Sequence, residues 1–130
     1  LPVDKAFDSG ERPINLDASN VVWVDPPGMP TSEDGPKIAY LWGELSDGQS
    51  NGTFVKLPAG FTGRLHAYGS TFRAVVIKGQ PQYVEKNIKH LEPGSYFGSM
   101  GETVHQLSTK SGEETIIYIR TNGRYSVIPD

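Results

Sequence analysis

The sequence predicts an all-β domain, an antiparallel sandwich or barrel, and three observations carry that prediction. The chain of 130 residues holds 15 glycines and 10 prolines, which punctuate strand-and-turn folds far more than helical ones. Short runs rich in β-branched and aromatic residues recur at close, regular spacing between turn clusters. No segment carries a convincing helical period. The length suits one domain with a single core.

In chain order, residues 1–20 are polar and weakly patterned, with Pro2 and Pro13, and read as an arm lying over the barrel or a neighbouring subunit. The domain proper runs over 21–130. "VVWV" at 21–24 is the first strong strand signal, closed by Asp25-Pro26-Pro27-Gly28. "MPTSEDGP" is loop, and "KIAYLWGEL" at 37–45 is a strand rich in aromatic and β-branched residues. "SDGQSNG" at 46–52 reads as a hairpin connection into "TFVKL", which stops at Pro58-Ala59-Gly60. "RLHAY" and "TFRAVVIKG" follow, separated by Gly69-Ser70. In "PQYVEKNIKHLEPG" the proline flanks and the Lys86-Asn87 turn predict a hairpin instead of a helix. "SYFGS", "TVHQLS", "ETIIYIR" and "RYSVI" complete about ten strands, with "KSGE" and "TNG" as turns.

Composition excludes several functions. A net charge of -3 offers no electrostatic reason for nucleic acid or an anionic membrane as partner. No apolar run approaches the roughly 20 residues of a membrane helix. The absence of cysteine removes disulfides, zinc–thiolate sites and a cysteine nucleophile. The serines fall in turns with no G-x-S-x-G, so nucleophilic hydrolysis has no local pattern. Asn51-Gly52-Thr53 matches a glycosylation sequon, read here as a turn. The chain begins at Leu1 instead of Met, which suggests a trimmed start and is compatible with a cytoplasmic, periplasmic or secreted location.

One constellation carries chemistry. In "GFTGRLHAYGSTFRAVVIKG" at 60–79, His66 and Tyr68 are two apart and project to one face of a strand. From about Trp23 to Ile128 the chain resembles the cupins, small β-barrels of the double-stranded β-helix type. Their first motif has a glycine, five residues, His-x-His, a glutamate and a closing glycine. Here Gly60 and His66 keep that spacing, Tyr68 stands at the second histidine, and Phe72 stands at the glutamate before Gly79. In "LEPGSYFGSMGETVHQL" Gly94 and His105 match the second motif, with Met100 and Glu102 in its Pro and Gly positions. The same stretches are similar to the branch related to the C-terminal domain of ChrR anti-sigma factors.

The resemblance implies an antiparallel jelly-roll barrel, a homodimer, and a small-molecule pocket at the barrel mouth. It implies a metal site of His66 and His105, completed by Tyr68, for a divalent transition metal (Zn, Fe, Mn or Ni). With Phe72 in place of a carboxylate, a site without metal stays open as the alternative. Phe72, Tyr96, Gln106, Arg64 and Glu102 are the expected wall residues, Arg64 to hold an anion at the rim and Glu102 as a spare acid or base. His90 is expected on the surface. Two functions follow: a metal-dependent, dioxygenase-like enzyme, or a non-catalytic sensing or binding module whose pocket takes an effector.

Overall fold

A computed structural model describes residues 21–130, and the arm assigned to 1–20 lies outside the described residues. Ten strands form: β1 (Lys37–Gly43), β2 (Asn51–Leu57), β3 (Thr62–Ala67), β4 (Thr71–Lys78), β5 (Gln82–Val84), β6 (Ile88–His90), β7 (Tyr96–Met100), β8 (Thr103–Ser108), β9 (Thr115–Thr121) and β10 (Tyr125–Pro129). One sheet has the order β1-β2-β9-β4-β7 and the other β10-β3-β8-β5-β6. All pairings are antiparallel. No helix among the described residues is long and apolar enough to cross a membrane.

The pairings nest. β5 pairs β6, β4 pairs β7, β3 pairs β8 and β2 pairs β9, so the chain doubles back on itself at the β5–β6 tip. Successive rungs of this ribbon fall alternately in the two sheets. That is a double-stranded β-helix, the all-β class the composition predicts. The turn at the tip spans Glu85–Asn87, as the Lys86-Asn87 signal implies.

Each strand alternates, and the alternation decides what is inside. Val55, Leu57, Leu65, Ala67, Phe72, Ala74, Leu107, Ile117, Ile119, Tyr125 and Val127 share one buried cluster between the sheets. A smaller cluster of Ala39, Phe54, Ile116 and Tyr118 covers the outer face of the first sheet, where Val21, Trp23 and Leu41 pack against it. Trp23 stacks on Phe54 with ring centroids 6.4 Å apart, and the Lys56 ammonium lies 4.3 Å from the Trp23 ring.

Two local expectations change. Residues 21–24 form no strand: Val24 makes a single bridge to Ile38, because Pro26 and Pro27 have no N–H with which to extend it. The sequon asparagine opens β2 and is 1 % exposed. Its Nδ2 donates to the carbonyls of Glu44, Gln49 and Gly123, tying two loops together. A folded chain therefore cannot present Asn51 to a glycosylating enzyme. At the end of β1, Gly43 has φ 72°, and a Cβ there would lie 2.2 Å from the Ser50 carbonyl oxygen, so only glycine fits.

Candidate functional site

Two polar clusters lie on opposite faces of β3 and β8, one inside the barrel and one outside. Leu65 and His105 are Cα partners, as are His66 and Val104. Directly opposed residues share a face, so His105 points inward with Leu65 while His66 points outward with Val104. His105 is 1 % exposed, and Val104 is 49 % exposed.

The inner cluster centres on His105. Its Nδ1 is 2.7 Å from the Tyr83 hydroxyl on β5, and its Nε2 is 2.9 Å from the Ser99 hydroxyl on β7. Phe72 stacks on the imidazole at 4.8 Å and 18°, and the Phe97 ring centroid lies 5.4 Å away. Tyr83 belongs to the second sheet and Ser99, Phe72 and Phe97 to the first, so His105 bridges the interior. A second bridge joins Tyr125 Oη to Thr53 Oγ1 at 2.5 Å.

Burial pushes the His105 imidazole down in pKa, offset in part by the Glu85 carboxylate, which pulls it up. Burial also pushes the Tyr83 phenol up, with Glu85 adding to the rise. A histidine whose folded pKa lies below its unfolded 6.5 binds fewer protons folded than unfolded near and below that value. Its contribution is therefore intact above about pH 7 and is lost as pH falls through 6.5 toward the folded pKa. Stability should show an acid slope of at most about 1.4 kcal/mol per pH unit in that window. Urea unfolding from pH 8 to 5 measures it, and His105→Gln should flatten it.

The outer cluster is a chain of exposed contacts. His66 Nε2 lies 2.8 Å from Glu102 Oε2, and the His66 and Tyr68 rings stack at 4.2 Å. The Arg124 guanidinium sits 5.0 Å from the Tyr68 ring, and its Nε donates to Asp47 Oδ1 at 2.7 Å. Arg64 and Gln106 are Cα partners on this same outer face, both exposed. Tyr96 is 42 % exposed. Of the expected wall residues, only Phe72 faces the interior; Arg64, Tyr96, Glu102 and Gln106 do not. His90 is exposed on β6.

The structure thus does not bring His66, Tyr68 and His105 together, and the motif-based register is corrected by one residue. The residues of β3 that look into the barrel are Leu65 and Ala67, because only that parity buries the apolar half of R-L-H-A-Y. Together with Phe72, they occupy the interior that a cupin metal would need. One imidazole remains there, and both its nitrogens are engaged by protein hydroxyls. Among the described residues no three His, Asp or Glu side chains gather. The inward side chains do not fit the metal that the resemblance implies.

The interior is filled by rings, but a cleft of about 330 Å³ opens at its rim. It is lined by Pro27, Gly28, Leu45, Arg124, Tyr125 and Ser126. Sequence reasoning passed over Tyr83, Ser99 and Arg124. Ser99 and His105 lie on strands of different sheets, so no short-range spacing signals their contact.

The nested ribbon is the cupin fold. Solved structures agree. An RmlC-like cupin from Ralstonia eutropha JMP134 matches with a TM-score of 0.64 at 22% identity, covering 88% of this chain and 71% of the other. The polyketide cyclase RemF from Streptomyces resistomycificus matches with 0.64 at 12% identity, over 88% of this chain and 82% of the other. The Rhodobacter sphaeroides complex of SigE with the anti-sigma ChrR matches with 0.59 at 17% identity, over 81% of this chain and 50% of the other. The chain belongs to DUF4437, a family described as a domain of unknown function, whose profile matches residues 1–128. No curated protein matches it.

Proposed function

We propose that this chain is a cupin-fold module that binds a small organic ligand without a metal. One observation carries the reading: His105 has Tyr83 on one ring nitrogen and Ser99 on the other. A dioxygenase-like reaction requires a metal held by several protein ligands, and Leu65, Ala67 and Phe72 supply none. Binding at the cleft is supported by its mixed lining, which combines Arg124 and Ser126 with Pro27 and Leu45 around about 330 Å³. Such a module suits the sensing role that likeness to the ChrR complex suggests, in which occupancy alone is the signal.

Elemental analysis of untagged protein, before and after supplementation with Zn, Mn, Fe or Ni and dialysis, tests the metal half. Metal well below one per chain is expected, unchanged in His105→Ala and in His66→Ala. A stoichiometric metal lost in His105→Ala overturns it. A thermal-shift screen of small organic acids tests the ligand half: a binder at one hundred times its Kd adds about 2.7 kcal/mol of stability. That gain should vanish in Arg124→Ala. Sedimentation of the same preparation tests the homodimer.

A further inference from the structure

The inner cluster has a feature that ligand binding at the rim leaves unused. Ser99, His105 and Tyr83 are linked in a row, Oγ to Nε2 at 2.9 Å and Nδ1 to Oη at 2.7 Å. The row runs from a half-buried serine to a histidine that is 1 % exposed. Ser99 itself is half-buried, so its end of the row is less buried than the imidazole. Three hydroxyl and imidazole groups in an otherwise aromatic layer cost stability compared with apolar side chains of like size.

We propose that Ser99 is an activated nucleophile, with His105 as its general base and Tyr83 as the group that orients the imidazole, and that it accepts acyl groups from small activated esters. The two contacts fit one neutral tautomer of His105, in which Nδ1–H donates to the Tyr83 oxygen and the lone pair of Nε2 faces the Ser99 hydroxyl. This is the tautomer in which the imidazole can take a proton from serine.

In the reaction, Ser99 Oγ forms a bond to the ester carbonyl carbon and its proton passes to Nε2. The ester C–O bond breaks, and the departing alcohol takes the proton from Nε2, leaving an acyl-serine and a neutral imidazole. Water then adds to the acyl carbon, its proton passing to Nε2 and on to Ser99 Oγ as the acid departs. No oxidant, metal or further reactant is needed.

The experiment uses the intact chain and a fluorophosphonate probe, with peptide mass spectrometry locating the adduct. Attack by Ser99 expels fluoride and leaves a phosphonylated serine. The native protein should be labelled at Ser99, and the urea-unfolded protein and Ser99→Ala should not. His105→Gln should slow labelling by at least about 100-fold, the lower end of general-base contributions. Because a core variant can fail to fold, Glu85→Gln serves beside it: Glu85 is exposed, so the fold stays intact while labelling slows as the negative charge acting on Tyr83 and His105 is removed. Absence of a Ser99 adduct, or labelling unaffected in both folded variants, overturns the proposal.

Discussion

Histidine at Leu65 and at Ala67 with glutamate at Phe72 should convert this barrel into a metal protein, whereas histidine at Tyr68 with the same Phe72→Glu change should not. Leu65 is the Cα partner of His105, Ala67 lies two residues along on the same face, and the Phe72 ring is 4.8 Å from the imidazole. The three replacements therefore surround His105 with donors close enough to rearrange to metal-ligand lengths of about 2.0–2.2 Å. His105 must give up Ser99 to offer Nε2, a loss on the order of 1 kcal/mol. The set based on Tyr68 leaves two histidines on the outer face and one carboxylate inside, so its donors cannot meet. Zn or Ni retained through dialysis at one per chain, with a rise in melting temperature, is the expected result for the triple variant. If the triple variant is unfolded without metal, its circular dichroism should recover on titration with Zn, because the site forms only in the folded chain. Stoichiometric binding by the Tyr68-based set, or none by the triple variant even as it refolds, would refute the register.

The second large effect is loss of stability in Phe72→Ala, by about 3–5 kcal/mol. Phe72 is 0 % exposed and touches the rings of Phe97, His105 and Tyr125, which come from both sheets. Truncation leaves a cavity at the centre of the layer that these rings cannot close without leaving their own contacts. Tyr68→Ala and His66→Ala, by contrast, should each cost no more than about 1 kcal/mol, since their stacking and the His66–Glu102 contact lie on the outer face of the barrel. Urea midpoints at constant slope compare the three. A Phe72→Ala loss as small as that of Tyr68→Ala would mean the interior is not packed around this ring.

These two results separate what was legible in the sequence from what was not. Strands and their order of appearance follow from turn chemistry, and nine of the named runs, from "KIAYLWGEL" to "RYSVI", coincide with strands to within a few residues. The site register is the instructive miss. The spacing from Gly60 to His66 matches a cupin motif, but R-L-H-A-Y alternates polar and apolar residues, and only one parity buries Leu65 and Ala67. A period of two, set by burial, outweighs a count of residues from a glycine. Ser99 was invisible for another reason: contact between strands of different sheets depends on how the ribbon winds, and no local pattern encodes that. The bulge between Val76 and Lys78, where β4 meets β9, likewise shifts which side chains face inward without a local signal.

The doubling-back of the chain also shapes how the protein holds together over time. A cut at the β5–β6 tip would leave β1 to β5 on one fragment and β6 to β10 on the other. Apart from β1 with β2, every ladder among the described residues, β2 with β9, β3 with β8, β4 with β7 and β10 with β3 among them, joins one fragment to the other. Neither half owns a complete sheet, so neither can hold a partly built barrel while the other frays. The long-range ladders therefore form slowly and together. Protection against transient opening is therefore a property of the whole winding, and only the edge strands β1, β7, β10 and β6, each with a single partner strand, are free to loosen alone.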